Sequence, residues 1–132
     1  MKLIVLLFSC FLMSFTLNAQ SPKISIQTSP PTQLKAGQSF ILKVKVQHNL
    51  KEEKTGNLTL TLFNNETKKE VDGWFINVFP FQYFTTILNT PFETEFPFTV
   101  PDAFTGKFDI VLVAEVNQLK DSIRFTVPTR KK

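Results

Sequence analysis

Apolar and polar residues alternate with a period of two along most of this chain. In "KISIQ", Ile24 and Ile26 share one face. In "QSFILKVKVQHN", Phe40, Leu42, Val44 and Val46 oppose Ile41, Lys43, Lys45 and Gln47. Leu58, Leu60 and Leu62 alternate with threonines, Phe96, Phe98 and Val100 fall on one side of "PFETEFPFTV" with Phe92, and Ile123, Phe125 and Val127 oppose Ser122, Arg124 and Thr126. This alternation marks strands with one face on a core and the other in water. "KFDIVLVAEV" departs from it, because Val111 and Val113 make its second face apolar too, as expected of a central strand. The separators carry turn chemistry, among them "SPPT", "KAGQ", "NNETKKEVDG" and "PDAFTG". No segment holds a helical period with caps. About seven strands at such spacings predict an all-β, antiparallel two-sheet sandwich of immunoglobulin-like or fibronectin III-like type. Pro97 inside a strand pattern predicts an edge or a bulge. "SPPT" is expected to carry the chain between sheets in extended form.

One stretch breaks the rule. "VDGWFINVFPFQYF", residues 71–84, holds six aromatic residues in fourteen positions and is apolar on both faces. Gly73 and Pro80 predict a bent element that crosses from one sheet to the other at Pro80. Aromatic side chains beyond what one core face requires are candidates for contact with a partner, and the candidate set is Trp74, Phe75, Phe79, Phe81, Tyr83 and Phe84. The competing expectation is that most of these rings fill the core, as fifteen phenylalanines in one small chain suggest.

The first nineteen residues read as a secretory signal peptide: Lys2, an apolar run from Leu3 to about Leu17, then Asn18-Ala19-Gln20. The run is short for a bilayer span and no basic cluster follows it. Residues 20–132 then form one domain, exported to a periplasmic or extracellular compartment, with no membrane span after cleavage. Cys10 is the only cysteine. It sits inside the apolar run, a poor place for a lipidated cysteine, so the exported portion has no disulfide, thiolate nucleophile or cysteine ligand. Its stability must come from its core. The net charge of +4 includes the C-terminal Arg130-Lys131-Lys132, and no basic stripe runs along the chain, which disfavours nucleic-acid binding.

Catalysis has little material. His48 is the single histidine and follows the inward parity of Phe40 to Val46, so a satisfied histidine at a barrel end or turn is expected rather than a ligand or acid–base group. Asp72, Asp102, Asp109 and Asp121 are scattered singly, and Glu52-Glu53 and Glu93/Glu95 read as a charged turn and a solvated strand face. The serines lack nucleophile-elbow glycines, and Gly37, Gly56, Gly73 and Gly106 are isolated and read as turn residues. A non-enzyme with no metal and no cofactor is expected. Asn57-Leu58-Thr59 and Asn65-Glu66-Thr67 match the short glycosylation acceptor pattern.

"GNLTLTLFNNETKKEVDGWFINVFPFQYF", followed by an alternating strand and "FPFTVP", resembles a segment of bacterial alpha-2-macroglobulin family proteins. The likeness runs from about Gly37 to Val127, and Trp74-Phe75, Phe79-Pro80 and Gln82-Tyr83-Phe84 are its most specific part. The resemblance implies a single macroglobulin-type sandwich used for protein contacts. Family members that trap proteases are very large and carry a bait segment and a Cys–Gln thioester. This sequence has one domain and no cysteine after the leader, which excludes thioester trapping. The expected partner is another envelope or secreted protein, such as a macroglobulin-family protein or a protease. Two alternatives remain: a non-covalent protease inhibitor acting through the loops "HNLKEEKTGN" or "FNNETKKEVDG", and a small-ligand or glycan-binding module using Trp74 and Tyr83 as stacking platforms.

Overall fold

The computed structural model describes residues 21–132; the stretch expected to be a signal peptide, with Cys10, lies outside the described residues. Eight strands form two sheets: β1 (Ile24–Thr28), β2 (Leu34–Lys35), β3 (Ser39–His48), β4 (Thr55–Asn64), β5 (Phe81–Thr85), β6 (Phe92–Thr99), β7 (Lys107–Val116) and β8 (Leu119–Arg130). One sheet has the order β1-β3-β6, the other β2-β8-β7-β4-β5. The eighth strand beyond the seven or so expected is the two-residue β2, which is too short to show a period. It pairs parallel to β8, Leu34 with Thr129 and Lys35 with Arg130, in an otherwise antiparallel sandwich.

The alternating positions meet between the sheets. Leu42, Val44 and Val46 of β3 and Phe96 and Phe98 of β6 face Leu58, Leu60 and Leu62 of β4 and Phe108, Ile110, Leu112 and Ala114 of β7, all buried. Burial of a Leu or Ile of this kind contributes about 1.5–3 kcal/mol relative to exposure, so the register is fixed by which parity reaches this core. Strand β7 is the middle strand of its sheet, as its two apolar faces predict, and Val111 and Val113 are half-buried on its outer side.

"SPPT" carries the chain from β1 in one sheet to β2 in the other, as expected. The return to β3 turns at Gly37, whose φ of 85° favours glycine and whose added Cβ would lie 2.3 Å from Asp102 Oδ1. Pro97 lies on β6, an edge strand.

Residues 71–84 correct the expected crossing at Pro80. Strand β5 stays in the same sheet as β4, and the chain changes sheets between β5 and β6. Residues 71–80 are not a strand. They hang on the edge of β4 beyond the end of β5: Val71 N–H donates to Leu62 C=O (2.8 Å), and Leu60 N–H donates to Pro80 C=O (2.8 Å). Between these anchors lies one helical turn. Phe75 N–H donates to Val71 C=O (2.9 Å), Ile76 N–H to Gly73 C=O (3.2 Å) and Asn77 N–H to Asp72 C=O (2.9 Å). This is the closing geometry of a Schellman motif, and it places Ile76 in the left-handed region at φ 55°. Gly56 is the other correction. It lies within β4, not in a turn, and an added Cβ there would sit 2.5 Å from Glu115 O and 2.9 Å from the Phe84 ring.

Candidate interaction surface

Two side chains tie the 71–80 segment to β4. Asp72 Oδ1 accepts from Leu62 N–H (2.8 Å) and from the Asn77 side-chain amide (3.0 Å), and the same amide donates to Leu60 C=O (3.0 Å). Backbone groups that a strand would have satisfied are satisfied here by an Asp–Asn pair. Glu70, two residues before Asp72, has its carboxyl raised above the ordinary range by a hydrogen bond to Asp72 and by that carboxylate's charge.

With the backbone held this way, the turn drives one ring inward. Phe75 is fully buried, with its centroid 4.9 Å from Phe104 and 5.0 Å from Phe108, and its carbonyl accepts from Thr99 N–H of β6 at 2.7 Å. The segment therefore seals the side of the sandwich between the β4 edge and the β6 edge. Phe84 is also buried, 4 % exposed, because even-numbered residues of β5 face inward and Gly56 opposite it leaves room for the ring. It stacks on Phe92 at 5.0 Å. Phe75 and Phe84 are thus core residues and are withdrawn from the candidate contact set.

The other four candidates are exposed. Tyr83 is 72 % exposed, Phe79 64 %, Trp74 52 % and Phe81 48 %. Trp74 rests edge-on against Phe104 and Phe75 (5.7 and 6.2 Å). Phe81 and Tyr83 lie on the outer face of β5 in a T-shaped pair at 4.9 Å. Trp74 and Tyr83 line neither a shallow groove across the outer face of the three-stranded sheet nor one at the end near Leu50 and Leu119. Ile76, Val78, Ile87 and Leu88 join the exposed set. Ile87 and Leu88 escaped the sequence reading because a two-residue apolar step between turn residues has no period to judge. Among the described residues, nine large apolar side chains are exposed, and eight lie between Trp74 and Leu88.

The polar candidates behave differently. Among the described residues, neither buried ring nitrogen of His48 has a hydrogen-bond partner. Among the described residues, no three His, Cys, Asp or Glu side chains are grouped to hold a metal ion. Asp109, taken from sequence as a scattered acid, is 1 % exposed and accepts from Arg124 Nε and Nη2 (3.1 and 2.8 Å), Thr126 Oγ1 (2.8 Å) and Asn65 Nδ2 (2.9 Å). Burial works to raise its pKa, but the donated bonds and the Arg124 charge outweigh it and hold the carboxyl below the usual range. Asn65, the second glycosylation candidate, spends its side-chain amide on this bond. The Lys-rich turn after β4 is tightened by Asn64 Oδ1, which accepts from Glu66 and Thr67 N–H (2.9 and 3.2 Å).

No protein-family model matches the chain, and no curated protein matches it. Solved structures do. The Escherichia coli alpha-2-macroglobulin structure spanning domain MG7 to the C-terminus matches with a TM-score of 0.63 and 8 % identity, over 84 % of this chain and 17 % of that one. A chain from the complex between zinc 2-glycoprotein and prolactin inducible protein of human seminal plasma matches at 0.61 and 11 % identity, over 86 % of this chain and 98 % of that one. A β-glucosidase from Listeria innocua matches at 0.58 and 13 % identity, over 86 % of this chain and 17 % of that one. The present chain thus corresponds to about a sixth of the macroglobulin and glucosidase chains, and at these identities the likeness concerns the fold. The protein is a two-sheet, immunoglobulin-like sandwich that resembles one macroglobulin-type domain of a bacterial alpha-2-macroglobulin.

Proposed function

We propose that the protein is an exported, non-catalytic binding or scaffold domain that engages another envelope or secreted protein through the flank formed by residues 74–88. One observation carries this reading: among the described residues, eight of the nine exposed large apolar side chains fall within residues 74–88. Contiguous exposed apolar surface is costly in water, and Trp and Tyr are favoured interface anchors. The seminal-plasma neighbour supports the reading by analogy, since a chain of about this length occurs there within a protein–protein complex. The signal-peptide pattern supports export. A macroglobulin-family protein or a protease is the partner class that the resemblance favours.

Affinity capture from an envelope extract tests the proposal, with bound proteins identified by mass spectrometry. Wild-type protein should retain a defined partner that Phe79→Ala and Tyr83→Ala lose while melting near the wild-type temperature. Equal capture by wild type and both variants would sink it.

A further inference from the structure

The edges of a β-sandwich are open to strand addition unless something blocks them. Here three of the four edge strands are blunted. Strand β2 is two residues long. On β1, Ile26 N–H is taken by Asp121 Oδ2 at 2.9 Å. Strand β6 is stopped three times: Pro97 has no N–H, Glu95 C=O accepts from Gln82 Nε2 (3.2 Å), and Thr99 N–H is held by Phe75 C=O (2.7 Å).

Among the described residues, strand β5 has none of these devices, and β4 is its one neighbour. Pro80 C=O accepts from Leu60 N–H and Thr86 N–H donates to Lys54 C=O, which sets the even-numbered residues of β5 toward β4. The peptide groups of Phe81, Tyr83 and Thr85 therefore point outward, with the side chains of all three exposed. The strand "FQYFT" carries no charge and no proline.

We propose that this bare edge pairs antiparallel with the same edge of a second copy of the chain, about a two-fold axis through Tyr83, joining the two five-stranded sheets into one. This rests on the reading of the flank as an interface and assigns its occupant. The register argues for a second copy. Outward-pointing residues 81, 83 and 85 meet 85, 83 and 81 of the other copy, so each hydrogen-bonding position faces another and Tyr83 faces itself. Cross-strand aromatic pairs of this kind stabilise a sheet, and an uncharged strand brings no like-charge repulsion to its own image. The same register directs Val78 and Phe79, before β5, toward Leu88 and Ile87 of the second copy, after β5. Two exposed apolar sets at opposite ends of one strand are thereby brought together by a single operator.

Sedimentation velocity across a concentration series tests this, with Thr85→Pro as the informative variant. Proline there removes an outward N–H, leaves the bonds to β4 and every aromatic ring, and suits an edge strand. Wild type should dimerise, Thr85→Pro should weaken the dimer at least 10-fold, and Ile41→Lys, on the other sheet, should leave it intact. Amide exchange on wild type reads the same edge without any variant: Phe81, Tyr83 and Thr85 amides should gain protection as concentration rises. A wild-type monomer at every concentration up to about 1 mM overturns the proposal, as does a dimer in which those three amides exchange freely. A monomer that still captures an envelope protein through Tyr83 would overturn the self-pairing alone and leave the binding reading standing.

Discussion

Arg124 sets its Nη2 2.8 Å from Asp109 Oδ2, pairing a guanidinium that is half in water with a carboxylate that is 1 % exposed. The two partners are therefore unequal. Removing Arg124 leaves a buried carboxylate short of its charged donor, whereas removing the carboxylate charge leaves an arginine that can rehydrate. Arg124→Ala should cost about 2–4 kcal/mol and Asp109→Asn roughly half as much, read from urea unfolding midpoints. Equal costs would show that the pair behaves like an ordinary surface ion pair.

The same carboxylate sets an acid dependence. Its folded pKa is depressed, so between that value and the unfolded value of about 3.9 the unfolded chain binds more protons than the folded one. Stability from this group is fully present above about pH 4 and is lost as pH falls through the folded pKa. The urea midpoint should fall as the pH drops below about 4 in wild type, with a shallower fall in Asp109→Asn.

Phe75 and Tyr83 separate core from surface within one aromatic run. Phe75→Ala opens a cavity beside Phe104 and Phe108 and should cost about 3–5 kcal/mol. Tyr83→Ala should cost about 1 kcal/mol or less in the monomer. Thermal melts of the two variants at low concentration provide the comparison, and a Tyr83 loss as large as that of Phe75 would contradict its exposure.

Ile76 occupies the left-handed position that closes the Schellman turn, at φ 55° and 56 % exposed. A β-branched residue is strained there, by about 1–2 kcal/mol. Ile76→Gly should relieve the strain and raise stability by up to about 1 kcal/mol after the added freedom of the unfolded chain is counted. A gain in melting temperature accompanied by weaker partner capture would identify Ile76 as a contact residue retained despite its backbone strain.

Gly56→Ala tests the close approach of β4 to β7 beside Phe84. The new methyl would lie 2.5 Å from both Glu115 O and Val116 Cγ2, and overpacking of this kind costs about 1–3 kcal/mol. Phe84→Leu placed on the same background should return little of that loss, because the closest atoms belong to β7.

The period-two pattern by itself determined that the chain folds as a β-sandwich, which parity of β3, β4, β6 and β7 faces the core, that β7 lies at the centre and that Pro97 marks an edge. Those outcomes depend on apolar area removed from water, and a strand's alternation states which face that is. The residues 71–84 could not be settled that way, because a stretch apolar on both faces has no preferred parity. Hydrogen bonds distant in sequence decided it: Asp72 to Leu62, Asn77 to Leu60 and Phe75 to Thr99 fix a helical turn at the sheet edge. That turn buries Phe75 and leaves Trp74, Phe79, Phe81 and Tyr83 in water. Gly56 and Asn65 likewise took their roles from neighbours that only the assembled sheets supply. Which strand edges are blocked and which is bare is a property of pairing order, and the tertiary structure alone decides it.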